Sequence, residues 1–182
     1  MTDLSALTPG TWNVDPAHSS VGFVARHLMI SKVRGRFTDF SGTLEIAPDP
    51  LQSTVQATVD LASVTTGDDS RDAHLRSPDF FDVEGDGAPT MAFVSTGVKE
   101  DDGEYLLFGD LTVKGVTRQV EFALEFDGVN ADPWGGTRAG FSAATEINRK
   151  DFGLGFNMAL ETGGVLVGEK IKVELDIQAV KA

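Results

Sequence analysis

Between positions 170 and 178 polar and aliphatic residues alternate without exception. Lys170, Lys172, Glu174, Asp176 and Gln178 interleave with Ile171, Val173, Leu175 and Ile177. A period of two places the polar groups on one face of an extended strand and the aliphatic groups on the other, an arrangement that no helix reproduces. The same alternation separates Val55, Ala57, Val59 and Leu61 from Gln56, Thr58 and Asp60. It also separates Phe122, Leu124 and Phe126 from Glu121, Glu125 and Asp127. Further strands are expected over 19–28, 35–46, 90–98, 105–113 and 140–148, about eight in all. Lys114-Gly115-Val116-Thr117 reads as a tight hairpin turn. The pattern specifies an all-β, antiparallel fold in which each strand is dry on one side.

Two segments break the period. Over 68–81, Asp69 or Ser70 can cap a short helix, at about 70–77, which Pro78 stops. Over 151–162, Phe152, Leu154, Phe156, Met158 and Leu160 make an apolar connector of the kind that covers something. No linker or repeat divides the 182 residues, so the chain is expected to be an N-terminal tail (1–10) followed by one domain (11–182).

Composition narrows the function classes. Twenty-eight acidic residues against 15 basic ones give a formal charge of -13, which repels nucleic acid and, at long range, anionic membrane surfaces. With no cysteine there are no disulfides, thiolate metal sites or cysteine nucleophiles. No stretch approaches the roughly 18 apolar residues of a membrane-spanning helix. The opening MTDLSALTPG lacks the basic and apolar regions of a secretory signal, so a cytoplasmic location is expected.

The chemical motifs resolve mostly into structural readings. Asp15, His18 and Ser19 are near neighbours, but on an extended segment they point apart and read as a strand entrance with an Asp-Pro turn. His18, His27 and His74 lack metal-ligand spacing. His27 shares a strand face with Phe23 and Ala25 and could meet a ligand head group. Asp82, Glu84, Asp86 and Gly87 begin like a calcium loop, yet Phe93 stands where the bidentate glutamate belongs. The run 163–170 imitates a phosphate loop with Glu169 in place of the lysine, and Gly153-Leu154-Gly155 lacks the third glycine of a dinucleotide turn. Arg71-Asp72 and Asn148-Arg149 read as caps and local pairs, or alternatively as head-group contacts at a barrel mouth. Alternation alone does not distinguish a filled barrel from a hollow one, and a filled core is the simpler reading.

The chain resembles the YceI-like family, a group of lipocalin-like polyisoprenoid-binding proteins. The likeness is carried by Trp12-Asn13-Val14-Asp15-Pro16-Ala17-His18-Ser19, Val21-Gly22-Phe23, His27, Gly35-Arg36-Phe37 and Thr65-Thr66-Gly67. It continues through Arg71-Asp72-Ala73-His74-Leu75, Asp79-Phe80-Phe81-Asp82-Val83, the run from Gly109 to Thr117, and Asn148-Arg149-Lys150-Asp151-Phe152-Gly153. The resemblance implies an eight-stranded, lipocalin-like antiparallel barrel, hollow rather than filled, with an apolar tunnel for a long-chain isoprenoid or fatty-acyl lipid. Matched by position and inward phase, the tunnel residues are Phe23, Ala25, His27, Phe37, Phe40, Val59, Phe80, Phe93, Leu111, Phe122, Phe126, Phe141 and Phe152. His18, Arg71, Asp72, His74, Asn148 and Arg149 are expected at the mouth. A lipid-binding role in transport or storage, a homodimer, no cofactor and no turnover chemistry are the corresponding expectations. Two alternatives are an enzyme using His27 with a carboxylate, and a haem or electron-transfer partner ligated by His27 or His18.

Overall fold

The structure is a computed structural model that describes residues 3–85, 89–158, 160 and 166–182. Its strands are β1 (Gly10–Val14), β2 (Ser20–His27), β3 (Ser31–Phe37), β4 (Phe40–Ile46), β5 (Thr54–Asp60), β6 (Val64–Thr65), β7 (Thr90–Asp101), β8 (Glu104–Val113), β9 (Val116–Ala131), β10 (Thr137–Asn148) and β11 (Lys170–Lys181). The helix α1 (Asp69–Arg76) follows β6. The sheet runs β1-β4-β5-β7-β8-β9-β10-β11 and closes when β11 pairs back onto β1, giving an eight-stranded antiparallel barrel.

The remaining three strands continue walls already in place. β1 and β2 lie end to end along one edge of β11, at Val14↔Ala179 and then Ser20↔Asp176. β3 and β4 run beside β2 and β1, and β6 extends β5 alongside β3. Three of the eight walls are therefore bent, two of them at turns capped by an aspartate. Asp15 accepts from the Ala17 amide at 3.0 Å between β1 and β2, and Asp60 from the Ala62 amide at 3.0 Å between β5 and β6. The strand expected over 35–46 is in fact β3 and β4, broken at Thr38-Asp39, where both amides bond to Ser63 Oγ. β1 is too short for its alternation to stand out, so the sequence placed only a strand entrance near it.

The expected hairpin turn is present. Lys114 and Gly115 both have positive φ, and Val113 pairs with Val116. Helix α1 begins one residue before the expected start, capped by Asp68, whose carboxylate accepts from the Arg71 amide at 2.9 Å.

The reading of residues 1–10 as a tail is corrected for the described part. Leu4 and Leu7 are buried against Trp12, Tyr105 and Phe126, and the Trp12 indole donates to the Thr8 carbonyl at 3.0 Å. Leucines three apart on a short 3-10 turn present one apolar face, and the barrel end supplies the matching surface. This segment closes one end of the barrel. The opposite end carries α1, the β2–β3 hairpin and the connector after β10. Strands of ten to twelve residues, at the roughly 40° tilt usual for such barrels and rising about 3.3 Å per residue, make the wall about 25–30 Å tall.

Candidate functional site

The inward residues do not fill the barrel. A cavity of about 410 Å3 runs from Leu4, Leu7 and Ile46 at the plugged end to Arg71, His74 and Phe156 at the mouth. That volume falls in the range of small-molecule sites. Of the expected tunnel residues, Phe23, Ala25, His27, Phe37, Phe40, Val59, Phe80, Phe93, Leu111, Phe122, Phe141 and Phe152 all line it. Phe126 does not: it is fully buried below the cavity floor, with its ring 5.4 Å from Phe141. Val14, Leu44, Leu107, Leu124, Val173 and Leu175 also face the cavity. Their alternation marks several of them as inward-phase aliphatics, but nothing local distinguishes an aliphatic facing the cavity from one packed into the wall.

Two glycines shape the lumen. A Cβ at Gly35 would collide with the Phe23 ring, and one at Gly109 with the Phe93 ring, so each aromatic lies flat over a neighbouring strand instead of projecting into the cavity. The space they vacate is part of the hollow.

At the mouth, the residues of the Thr65-Thr66-Gly67 and Arg71-Asp72 motifs bind one another. Asp72 is buried and accepts from the Thr66 amide at 2.8 Å and the Thr66 hydroxyl at 2.6 Å. Burial pushes its carboxyl up, but the bonds from Thr66, together with Thr65 and the nearby Arg76 charge, outweigh this and hold it below the ordinary value. Arg71 donates to Thr66 Oγ1 at 2.7 Å and to the Thr66 carbonyl at 3.0 Å, while still lining the cavity. His74, Phe80 and Phe156 form an edge-to-face aromatic trio with centroids 4.9–5.3 Å apart, and the His74 ring also bonds to Asp79 at 2.8 Å.

Arg149 is the buried cation of the site, only 3% exposed. Its guanidinium donates to four backbone carbonyls: Gly168 at 2.9 Å, Leu154 at 2.6 Å, Phe156 at 2.8 Å and Val167 at 3.1 Å. Burial lowers its pKa from the ordinary value, with Glu169 opposing. It thus ties both arms of the connector to the end of β10.

Three of the residues expected at the mouth stand elsewhere or do other work. His18 lies on the outer wall between β1 and β2, exposed and bonded to Asp15 at 2.8 Å, because the 3-10 turn there carries it outward. Asn148 caps the turn over Arg149–Phe152 by accepting from the Lys150 amide at 3.0 Å. Asp72 is consumed by Thr66 and does not line the cavity. His27 lines the cavity, and among the described residues the histidines that pair with a carboxylate are His18 and His74. Among those residues no group of three or more His, Asp or Glu could hold a metal, and no helix is long and apolar enough to cross a membrane. Asp86 and Gly87 of the calcium-like run, and Gly163 and Gly164 of the phosphate-loop-like run, lie outside the described residues.

The YceI-like domain matches residues 12–179. The chain belongs to the YceI-like family. A UPF0312 protein of Staphylococcus epidermidis is 40% identical over 165 residues, covering 90% of this chain and 93% of that one. Among solved structures, the YceI-like barrel superposes on BcnA of Burkholderia cenocepacia with a TM-score of 0.76 at 26% identity, over 91% of this chain and 98% of that one. It also superposes on the YceI protein of Campylobacter jejuni at 0.73 and 28% identity, over 86% and 90%. A polyisoprenoid binding domain from Saccharophagus degradans shares the fold at 18% identity and a TM-score of 0.70, over 96% and 100%.

Proposed function

We propose that this YceI-like barrel binds one long-chain isoprenoid or fatty-acyl lipid, tail toward the Leu4–Leu7 plug and head toward α1, and carries or stores it without chemical change and without a cofactor. The observation that carries the reading is the polarity of the cavity. Its walls are aliphatic and aromatic, while its titratable lining residues, His27, Arg71, His74 and Arg149, with the outward-facing Arg26 touching it only at the rim, gather at the mouth end with no aspartate or glutamate among the lining. In a chain of charge -13 such an arrangement favours a head rich in acceptor oxygens, such as a quinone, phosphate or carboxylate. The polyisoprenoid-binding relative of the same fold supports the tail class.

The apolar walls supply the affinity. A tail burying roughly 300 Å2 gains about 7 kcal/mol at about 25 cal/mol per Å2, before the cost of immobilising it. Selectivity then rests on tunnel length and on the mouth residues. Native mass spectrometry with organic extraction tests the reading. A one-to-one polyprenyl or acyl species is the expected result. Lipid-free protein that also fails to take up prenyl and fatty-acid probes would overturn it.

A further inference from the structure

The hairpin joining β2 to β3 stands at the cavity mouth and exposes three large apolar side chains in a row: Leu28 at 38%, Met29 at 55% and Ile30 at 80%. Ile30 N–H donates to the His27 carbonyl at 3.2 Å, closing a turn whose two central residues, Leu28 and Met29, have φ of 54° and 63°. Turns of this kind are made most easily by Asn-Gly, and bulky residues adopt positive φ only against steric resistance. The tip is thus apolar despite both its exposure and its backbone. Met158, 58% exposed, adds to it from the connector, whose Leu166 carbonyl accepts from Leu28 N–H at 2.8 Å.

The wall behind the tip is basic in an otherwise acidic protein. No acidic residue occurs between Asp15 and Asp39, whereas Arg26, Lys32, Arg34 and Arg36 do. Register places these four on the exposed face of β2 and β3, with Lys170 and Lys172 continuing the row on β11; Glu174 pairs with Arg34 and Lys172, Glu146 of β10 pairs with Lys170, and Asp176 lies at the far end of the same β11 face. Of the acidic residues at this end, Glu169 in the connector is paired with Lys150 at 2.7 Å, and Asp68, Asp69 and Asp79 belong to α1 and the turn after it. That element joins β3 through β6 at Arg36↔Thr65, six residues or roughly 20 Å from the tip.

An apolar tip flanked by cations matches an anionic bilayer, with the side chains entering the acyl boundary and the cations meeting lipid phosphates. We propose that the β2–β3 hairpin docks the cavity mouth onto an anionic membrane surface, so that a lipid passes between bilayer and barrel without crossing water. The inference rests on the lipid-carrier reading for its purpose, but the two are measured separately.

Vesicle flotation of the full chain tests it, using phosphatidylcholine alone and with about 30 mol% phosphatidylglycerol. Binding to the anionic vesicles that fades between about 0.05 M and about 0.5 M salt is expected. Met29→Asn/Ile30→Ser keeps a residue suited to positive φ and should bind about tenfold more weakly or worse, as should Lys32→Glu/Arg34→Glu. Thermal melting and uptake of a soluble fluorescent fatty-acid probe, both unchanged in the variants, show that fold and cavity persist. Wild-type protein that does not float at low salt, or variants that float as well as wild type, would overturn the docking surface while probe uptake leaves the carrier reading standing. A dimer that Met29→Asn/Ile30→Ser disrupts, with no vesicle binding, would assign the tip to a second copy and equally overturn it.

Discussion

Arg149 carries its charge into a low-dielectric wall and meets it with four carbonyl dipoles, of which that of Val167 also accepts from the Asn157 side-chain amide at 2.8 Å. Arg149→Met should therefore cost about 3 kcal/mol or more in urea unfolding. Arg149→Lys should restore little, since one ammonium cannot reproduce a planar fork reaching both arms of the connector. On the outer wall, Asp15 bonds to Arg138 at 2.7 Å and to His18, and Arg138 also bonds to Asp132. The Arg138 guanidinium, followed by His18, holds the Asp15 carboxyl down from 3.8 to about 2. A carboxyl depressed in the folded state stabilises above its unfolded pKa, and that contribution is lost as pH falls from about 4 through about 2. Asp15→Asn should lower Tm at neutral pH and flatten its fall across that acid window, as read by thermal melts from pH 2 to 7.

Strands β9 and β10 part company at one end of the barrel. They pair from Ala123↔Ala144 to Ala131↔Thr137, whereas the first residues of β9 bond only to β8, and 145–148 of β10 only to β11. Phe152, fully buried on the turn after β10, closes this seam with side-chain packing in place of a ladder. Phe152→Ala should cost about 3–5 kcal/mol and admit water to the lumen, visible as faster hydrogen exchange in β9 and β10. The β2–β3 pair is tuned differently, by a ring lying over a glycine. Gly35→Val should turn the Phe23 ring into the cavity, at a cost of about 1–3 kcal/mol, and shorten the longest tail that binds in a competition series of prenyl alcohols.

For the whole molecule, the decisive feature is a barrel plugged at one end by its own N-terminal residues and lined there by hydrocarbon. Deleting residues 1–9 removes Leu4 and Leu7 from beneath the cavity and unpairs the Trp12 indole. The expected outcome is a lower Tm together with binding of longer prenyl chains than the intact protein accepts. Loss of stability without a change in the length series would show that the plug serves the fold alone. Much of this architecture was readable in advance: the twofold period of 170–178 became β11, the Lys114-Gly115 turn formed where expected, and twelve of the thirteen tunnel positions face the cavity. Phe126 and His18 were misplaced for one reason. Alternation fixes which face a side chain takes but not its height in the barrel, nor whether a turn carries its neighbour outward.

Strand identity and inward phase are set locally, because successive side chains must leave the backbone on opposite sides and only one face can be dry. The sequence by itself therefore determined an antiparallel β protein, the helix α1 and most of the residues facing inward. Whether those residues meet across the interior depends on shear, on the bends at Asp15, Thr38-Asp39 and Asp60, and on rings lying over Gly35 and Gly109. These are relations between residues far apart in the chain, so only the tertiary structure decided that the barrel is hollow. It also decided that the mouth is basic on its β2–β3 side, and that Leu4 and Leu7 form part of the floor.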